Sequence, residues 1–157
     1  KIQISNNDTF ESLSQKLAIL GADLLIKIIP DYLSGKIKPV EQDHLKATYT
    51  KIIKKEDGKI NWSKSAEEIE RMTRAFYPWP GAYANIKNKI LKIIESDISD
   101  SKNNHHFGEA FLLNSNLAIK CGEGALIIKK LQLEGGKVLT AKEFLNGHKD
   151  FIGSILQ

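Results

Sequence analysis

Two prolines separated by a single residue most constrain how this chain can fold. They lie in the run Arg74-Ala75-Phe76-Tyr77-Pro78-Trp79-Pro80-Gly81-Ala82-Tyr83. Each proline fixes φ and removes a backbone donor, and the residue before it is driven towards extended conformations. A helix arriving from the N-terminal side must therefore end at this run, and Gly81 lets the chain leave at an angle that other residues resist. We predict a stiff structural corner formed by Arg74, Pro78, Trp79, Pro80 and Gly81.

The tryptophan at the apex of this corner has two interpretations. In the first, Trp79 is buried and the corner is a structural part of the core. In the second, the corner is a rigid ledge that faces a partner, and the two are compatible if only one face is buried. Arg74 has two matching roles, since it can bond backbone carbonyls of the corner or contact a nucleic acid.

The hydrophobic pattern changes from helical to strand-like at the corner. Ser65 with Glu68 forms a capping box that predicts a helix leading into it, and Thr140 with Glu143 predicts a short final helix. The runs between them predict strands over residues 82–86, 90–94, 110–113, 117–121 and 125–133. The first two flank Lys87-Asn88-Lys89, the predicted tip of a hairpin. Five short strands with capping helices predict a small OB-like β-barrel over residues 59–157.

The first third of the chain has a different pattern. Residues 1–4 alternate polar and apolar and predict a strand, and Asp8 with Glu11 predicts the start of a helix that breaks or kinks at Pro30. A strand and a helix of this kind cannot cover a sheet alone. We therefore predict that residues 1–35 are the remnant of an α/β domain, and that residues 36–58 are a basic linker with a strand near its end. The class of the whole chain is α+β.

The positive charge of the chain is local. Residues 36–64 contain eight Lys and four Asp or Glu, so this stretch carries an excess equal to the net charge of +4 of the whole chain. A local basic stretch is typical of contact with a phosphate backbone, and a solvated linker is the alternative. Together with the basic hairpin tip, it gives the predicted nucleic-acid-binding residues: Lys51, Lys54, Lys55, Lys59, Lys87 and Lys89.

Several classes of site are not supported by the sequence. Cys121 is the one cysteine, which excludes an internal disulfide and favours a reducing compartment. The four histidines lack cysteine or carboxylate partners at metal-ligand spacing. No apolar run approaches the ~20 residues that span a membrane. The chain shows no phosphate loop, nucleophile elbow or signal peptide, and it does not begin with Met. We expect a fragment with no catalytic, cofactor-binding or metal-binding residues of its own.

The corner and its helix resemble a known family. The residues Glu67-Glu68-Ile69, followed by the Arg-Ala-Phe-x-Pro-Trp-Pro-Gly-Ala-Tyr pattern of the corner, are similar to the start of the C-terminal domain of the methionyl-tRNA formyltransferases. Two departures are Ile52, where that family more often has Lys, and Asn61, where it favours Asp. The resemblance continues in order through Gln42-Asp43, Ala47-Thr48-Tyr49, Cys121-Gly122-Glu123-Gly124-Ala125, Leu131-Gln132, Gly136-Lys137 and Phe144-Leu145-Asn146-Gly147.

The resemblance implies a function for the parent protein and a narrower one for this chain. Enzymes of this family transfer a formyl group from 10-formyltetrahydrofolate to the amino group of methionyl initiator tRNA in translation initiation. Their catalytic Asn, His and Asp and their folate loop belong to a part of the α/β domain that residues 1–157 do not match. The chain is therefore expected to be the tRNA-binding C-terminal half, inactive alone and without a cofactor.

The resemblance also implies the setting of the protein. We expect a monomer in the bacterial cytoplasm, or in an organelle matrix, with tRNA as its partner and no membrane. Sugar-nucleotide formyltransferases have similar corners, so the corresponding half of such an enzyme is one alternative. A non-catalytic protein-interaction domain is the other.

Overall fold

The computed structural model describes residues 1–157, which form two compact units, Lys1–Ile53 and Lys54–Gln157. The division falls within the stretch predicted as a linker. Helices and antiparallel strands occur together, so the fold is α+β as predicted. The elements are α1 Phe10–Leu33, α2 Ala66–Phe76, β1 Ala82–Ile86, β2 Lys89–Ser99, β3 Ala110–Leu113, β4 Asn116–Lys120, β5 Ala125–Leu133, β6 Val138–Thr140 and α3 Ala141–Gly147, with 3₁₀ turns at His44–Lys46, Lys55–Gly58 and Lys149–Phe151.

The first unit consists of one long helix and coil. Thr9 caps α1 by accepting a hydrogen bond from the N–H of Ser12, and the Ser12 side chain bonds back to the N–H of Thr9. The predicted cap, Asp8, lies one residue earlier and instead accepts from Ser5 N–H at 2.8 Å. The helix runs through Pro30 without the predicted break and ends at Leu33, three residues later.

The two strands predicted in this unit, over residues 1–4 and 48–53, do not form. Both stretches have strand-like residues, but a strand needs a neighbour to pair its backbone groups, and this unit contains no sheet. The first unit therefore contains the predicted helix without the predicted strands.

The second unit is built on one antiparallel sheet. Its strands follow the order β1-β2-β5-β4-β3, and β6 pairs with β5. Lys87 and Asn88 connect β1 to β2 with φ angles of 46° and 62°, the two positive values that a two-residue type I′ hairpin requires. All five predicted strands are confirmed. β2 runs further than predicted, to Ser99, because irregular register around Glu95 lets it follow β5.

The strand pairing does not close the sheet into a barrel. Its two outer strands, β1 and β3, are not paired with each other. The last residues of the chain lie between them, since Ala110 N–H donates to Ser154 O at 2.9 Å and Asn85 N–H donates to Gln157 O at 2.6 Å. The strand pairing thus does not establish the predicted OB-like barrel.

The main core lies between α2, α3 and one face of the sheet. Ile69 of α2 and Phe144 of α3 are buried against strand residues such as Leu91 and Leu131. A smaller cluster of Phe111, Ala118 and Ala125 forms separately. None of the helices is both long and apolar enough to span a bilayer.

Candidate nucleic-acid interface

The corner has the position that the sequence predicts, but its tryptophan points outward. α2 ends at Phe76, and the peptide bonds before Pro78 and Pro80 are both cis. The N–H of Gly81, which has a φ of 80°, donates to Phe76 O at 2.9 Å and closes the corner. Trp79 is 61% exposed, so the interpretation that it is buried is wrong. Trp62 is the tryptophan that lies in the core.

The arginine of the corner is held along the helix. Arg74 is half-buried, and its Nε donates to Glu70 Oε1 at 2.7 Å, four residues earlier. Arg71 pairs in the same way with Glu67. These pairs follow the usual i, i+4 geometry of a helix surface. They fix Arg74 at the end of α2, immediately before the prolines.

The end of the basic stretch packs against the corner. Gly58, the last residue of the 3₁₀ turn, is buried. A Cβ on Gly58 would lie 2.2 Å from Gly81 O and 3.3 Å from Pro80 Cγ, so only glycine fits. The N–H of Ile60 then donates to Tyr83 O at 2.8 Å. This packing holds three of the predicted lysines, Lys54, Lys55 and Lys59, beside the corner with their side chains exposed.

A groove of about 280 Å³ lies between the end of the basic stretch, at Lys55, and the corner, at Pro80. Lys55, Lys92 and Pro80 line it. Lys92 was not among the predicted residues. Its signal is the alternation of β2, where Leu91 and Ile93 are buried and Lys92 therefore points to the opposite face. Glu134 also lines the groove, but its carboxylate accepts from Ile90 N–H at 2.9 Å.

The two lysines of the hairpin tip lie elsewhere. The length of β1 separates them from the corner by about 16 Å. Lys87 forms an ion pair with Asp150, and this hydrogen bond lowers the pKa of Asp150. Both Lys87 and Lys89 line a separate cavity of about 210 Å³, which also contacts Phe144. The sixth predicted residue, Lys51, is exposed and belongs to the first unit.

The histidines next to β3 have structural contacts. Asn103 and His105, two residues apart, are held by a local hydrogen bond. In this structure Asn103 Oδ1 accepts from the N–H of His105, whose Nδ1 lies 2.8 Å from Glu109 Oε1. The ring of His105 stacks on Phe111 at 4.3 Å. Hydrogen bonds from His106 N–H and then from His105 lower the pKa of Glu109. No group of three or more His, Cys, Asp or Glu is arranged to hold a metal ion.

The sequence is similar to one family over most of its length. Residues 52–149 match the family described as "Formyl transferase, C-terminal domain". The chain is 45% identical over 141 residues to the methionyl-tRNA formyltransferase of Rickettsia bellii (strain RML369-C), which covers 90% of this chain and 45% of the relative. It is 37% identical over 158 residues to that of Clostridium beijerinckii, which covers 100% of this chain and 51% of the relative. The chain spans about half the length of the curated relatives it matches.

Solved structures share the fold at lower identity. A crystal structure of a HypX variant from Aquifex aeolicus aligns with a TM-score of 0.61 and 16% identity, over 83% of this chain and 23% of that protein. The crystal structure of HypX in complex with tetrahydrofolic acid aligns with a TM-score of 0.60 at the same identity, over 83% and 23%. At this identity the alignment shows a common fold alone.

Proposed function

This chain belongs to the formyl transferase C-terminal domain family, and from this premise we propose that it is the tRNA-holding half of a methionyl-tRNA formyltransferase. The whole enzyme would transfer the formyl group of 10-formyltetrahydrofolate to the amino group of methionyl initiator tRNA in translation initiation. Relatives with that name match the chain almost from end to end. The setting we propose is a monomeric enzyme in a bacterial cytoplasm.

The observation that carries this proposal is the packing of the basic segment against the corner. Lys55, Lys59 and Lys92 are not in ion pairs within the protein, and Gly58 fixes the backbone that carries the first two. Lysines beside a groove that have no carboxylate partner in the protein are available to neutralise phosphates. The exposed ring of Trp79 follows Pro78 on the same corner and offers a surface on which an unpaired base can stack.

Contacts of this kind hold a nucleic acid without reading its bases. We therefore propose that the chain binds tRNA weakly and with little preference among tRNAs. The remaining half of the enzyme would recognise the amino acid and would supply the catalytic Asn, His and Asp and the folate loop. In this proposal α1 is the end of the catalytic α/β domain, and the open sheet with the C-terminal residues 153–157 acts as an OB-like platform.

The test is a titration of tRNA into the protein at several salt concentrations. A triple variant, Lys54→Ala with Lys55→Ala and Lys59→Ala, removes three predicted phosphate contacts. Each contact contributes roughly 0.7–0.9 to the slope of log K against log salt, so the slope should fall by about 2 to 3. The matched control is Lys137→Ala with Lys142→Ala and Lys149→Ala, which removes the same charge from exposed lysines away from the groove.

The outcomes separate the competing functions. Equal affinity and slope in both triple variants would mean that the basic segment is only solvated surface, which favours the protein-interaction domain. Absence of tRNA binding by the unaltered chain would favour the half of a sugar-nucleotide formyltransferase. A second assay mixes the pure chain with charged tRNA and 10-formyltetrahydrofolate. We expect no formylation. Measurable turnover would refute the proposal that this half is inactive alone.

A further inference from the structure

The second unit, Lys54–Gln157, is called the sheet unit below. It contains another cavity, which shares no residue with the groove beside the corner. This cavity measures about 640 Å³, within the usual range for small-molecule sites. Its walls are the start of α2, residues 100–104 after β2, and the turn of residues 122–124, with Lys120 at the end of β4. No aromatic side chain lines it.

Lys120 is the unusual member of this cavity. Its side chain is buried, with only 8% of the residue exposed, yet it forms neither an ion pair nor a hydrogen bond. Leu117 and Ile119 of β4 belong to the main core, whereas Lys120 lies on the Ala118 side of the strand. The ammonium is not among the fully buried polar atoms, so the stem is covered while the charged end opens into the cavity without a protein partner. A bound anion would give the ammonium the partner that the protein does not supply.

The first turn of α2 adds a second feature that favours an anion. Ala66 N–H donates to Glu123 O at 2.9 Å, Glu68 N–H to Ser65 Oγ, and Ile69 N–H to Ser65 O. The N–H of Glu67 is left without an acceptor. An α-helix start carries a partial positive charge and free donors, both of which favour a phosphate.

The walls of the cavity are held rigidly. Gly122 N–H donates to Lys64 O at 2.8 Å. A Cβ on Gly122 would lie 2.0 Å from Ser63 O, and one on Gly124 would lie 2.5 Å from Ser99 O. The turn therefore touches the chain before α2 on one side and the end of β2 on the other. A ligand would meet a site whose backbone is already in place.

Carboxylates in the cavity define the rest of the ligand. Glu67 is paired with Arg71, but Asp100 and Glu123 are exposed and have no ion pair. These two carboxylates can only accept hydrogen bonds, so they suit hydroxyl groups and disfavour a ligand of high negative charge. The absence of an aromatic wall gives a base nothing to stack on.

We propose that this cavity binds a ribose-phosphate unit. Lys120 and the N–H of Glu67 would hold the phosphate, and Asp100 and Glu123 would accept hydrogen bonds from the sugar hydroxyls. The same chemistry has two sources, a free sugar phosphate and one ribose-phosphate of an RNA backbone, whose 2′-hydroxyl provides the donor. The site does not depend on the proposed tRNA groove.

The experiment is an NMR titration of the whole ¹⁵N-labelled chain with ribose 5-phosphate, inorganic phosphate and ribose. We expect saturable shifts of the amides of Glu67, Lys120 and Gly122 with ribose 5-phosphate. Lys120→Met keeps the stem but removes the charge, and it should weaken this binding by about tenfold or more, as loss of a charged hydrogen bond does. Lys137→Met, at an exposed lysine, is the matched control and should bind as the unaltered chain does.

A second variant keeps the proposal testable if Lys120→Met fails to fold. Asp100→Ala changes an exposed residue, removes the acceptor for the sugar hydroxyls and should weaken ribose 5-phosphate relative to inorganic phosphate. Absence of saturable shifts in the unaltered chain, or equal binding by the Lys120 and control variants, would overturn the site, as would an unchanged ratio of the two affinities in Asp100→Ala.

An RNA hairpin added as competitor identifies the source. Displacement of ribose 5-phosphate assigns the site to an RNA backbone, and lack of displacement assigns it to a free sugar phosphate. The triple change of Lys54, Lys55 and Lys59 should leave ribose 5-phosphate binding intact. A failure of the tRNA groove is thereby distinguished from a failure of this cavity.

Discussion

The two longest helices of this chain show how differently apolar residues behave in its two units. α1 has 24 residues and none of them is buried, although leucine and isoleucine are frequent along it. α2 has 11 residues, and three of them, Ala66, Ile69 and Thr73, are buried against the sheet. An apolar helix gains stability only when another layer covers it. Apolar content alone therefore does not show where the stability of a chain lies.

The comparison assigns the stability to the sheet unit. Residues of β2, β4 and β5 are fully buried there together with Phe144 of α3. In the first unit, Lys1–Ile53, called the helix unit below, the apolar side chains are exposed on all sides of α1. This pattern is typical of a helix that is buried in a larger protein. The residues concerned are Leu17, Ile19, Leu20, Leu24, Leu25, Ile26 and Ile29.

The largest expected effect comes from dividing the chain between the units. Residues 54–157 alone should unfold cooperatively, with a free energy of unfolding within about 1 kcal/mol of that of the whole chain, as expected for independent segments. Residues 1–53 alone should show no cooperative transition, because α1 buries nothing. Urea unfolding followed by circular dichroism measures both fragments, and the fluorescence of Trp62 and Trp79 gives a second signal for residues 54–157. Loss of cooperative unfolding in 54–157 would show that the first unit is needed for the core.

A matched pair of leucines tests the same contrast at single residues. Leu131 of β5 is fully buried, so Leu131→Ala should cost about 2–5 kcal/mol of the free energy of unfolding. Leu24 of α1 is exposed, and Leu24→Ala should change it by no more than about 0.5 kcal/mol. Urea midpoints of the two variants give both values. Similar losses would mean that α1 is covered in solution.

The sequence predicted best what local chemistry decides. The capping boxes at Ser65 and Thr140, the hairpin tip and the corner all follow from residues that lie next to one another. Two local predictions, the helix cap at Asp8 and a break at Pro30, were wrong, and the other failures in the fold depend on distant neighbours. Residues 48–53 have strand-forming side chains but no strand beside them.

The candidate sites divide in the same way. Lys54, Lys55 and Lys59 could be predicted from a local excess of charge. The exposure of Trp79 could not, because Trp62 fills the core and nothing in the local sequence distinguishes the two. Lys120 is a lysine in a strand of alternating character, and only the packing of residues 100–104 and 122–124 around it makes a cavity.

Substitutions of two glycines by alanine should change stability by smaller amounts and in opposite directions. A Cβ on Gly122 would lie 2.0 Å from the backbone oxygen of Ser63, so Gly122→Ala should cost about 1–3 kcal/mol, as overpacking does. Gly21 in α1 has nothing within 4 Å of the same position, so Gly21→Ala should stabilise the helix by about 0.5–1 kcal/mol. Thermal unfolding measures the first, and helical circular dichroism the second. A loss in both variants would contradict the view that α1 is open to solvent.

The smallest effect concerns the polar cluster around Asp8 in the helix unit. Asp8 accepts hydrogen bonds from Lys16 Nζ at 2.6 Å, from Ser5 N–H at 2.8 Å and from Ser12 Oγ at 2.8 Å. The bond from Lys16 is the largest influence, and together these bonds hold the pKa of Asp8 well below its usual range. Because the folded pKa is lowered, the ionised carboxylate stabilises the start of α1 above the ordinary value of about 3.9. That contribution is lost as the pH falls below it.

A residue-specific titration decides whether this cluster forms in solution. The ¹³C signal of the Asp8 carboxyl group should titrate well below pH 4, and Lys16→Met should move its midpoint back towards the ordinary value because it removes the largest cause. The amides of the first turn of α1 should shift with the same midpoint, while those of Ile119 in the core should not, since Asp8 belongs to the other unit. An ordinary midpoint for Asp8 in the unaltered chain would mean that the start of α1 frays. The helix unit would then be held even more weakly than the lack of buried residues in α1 implies.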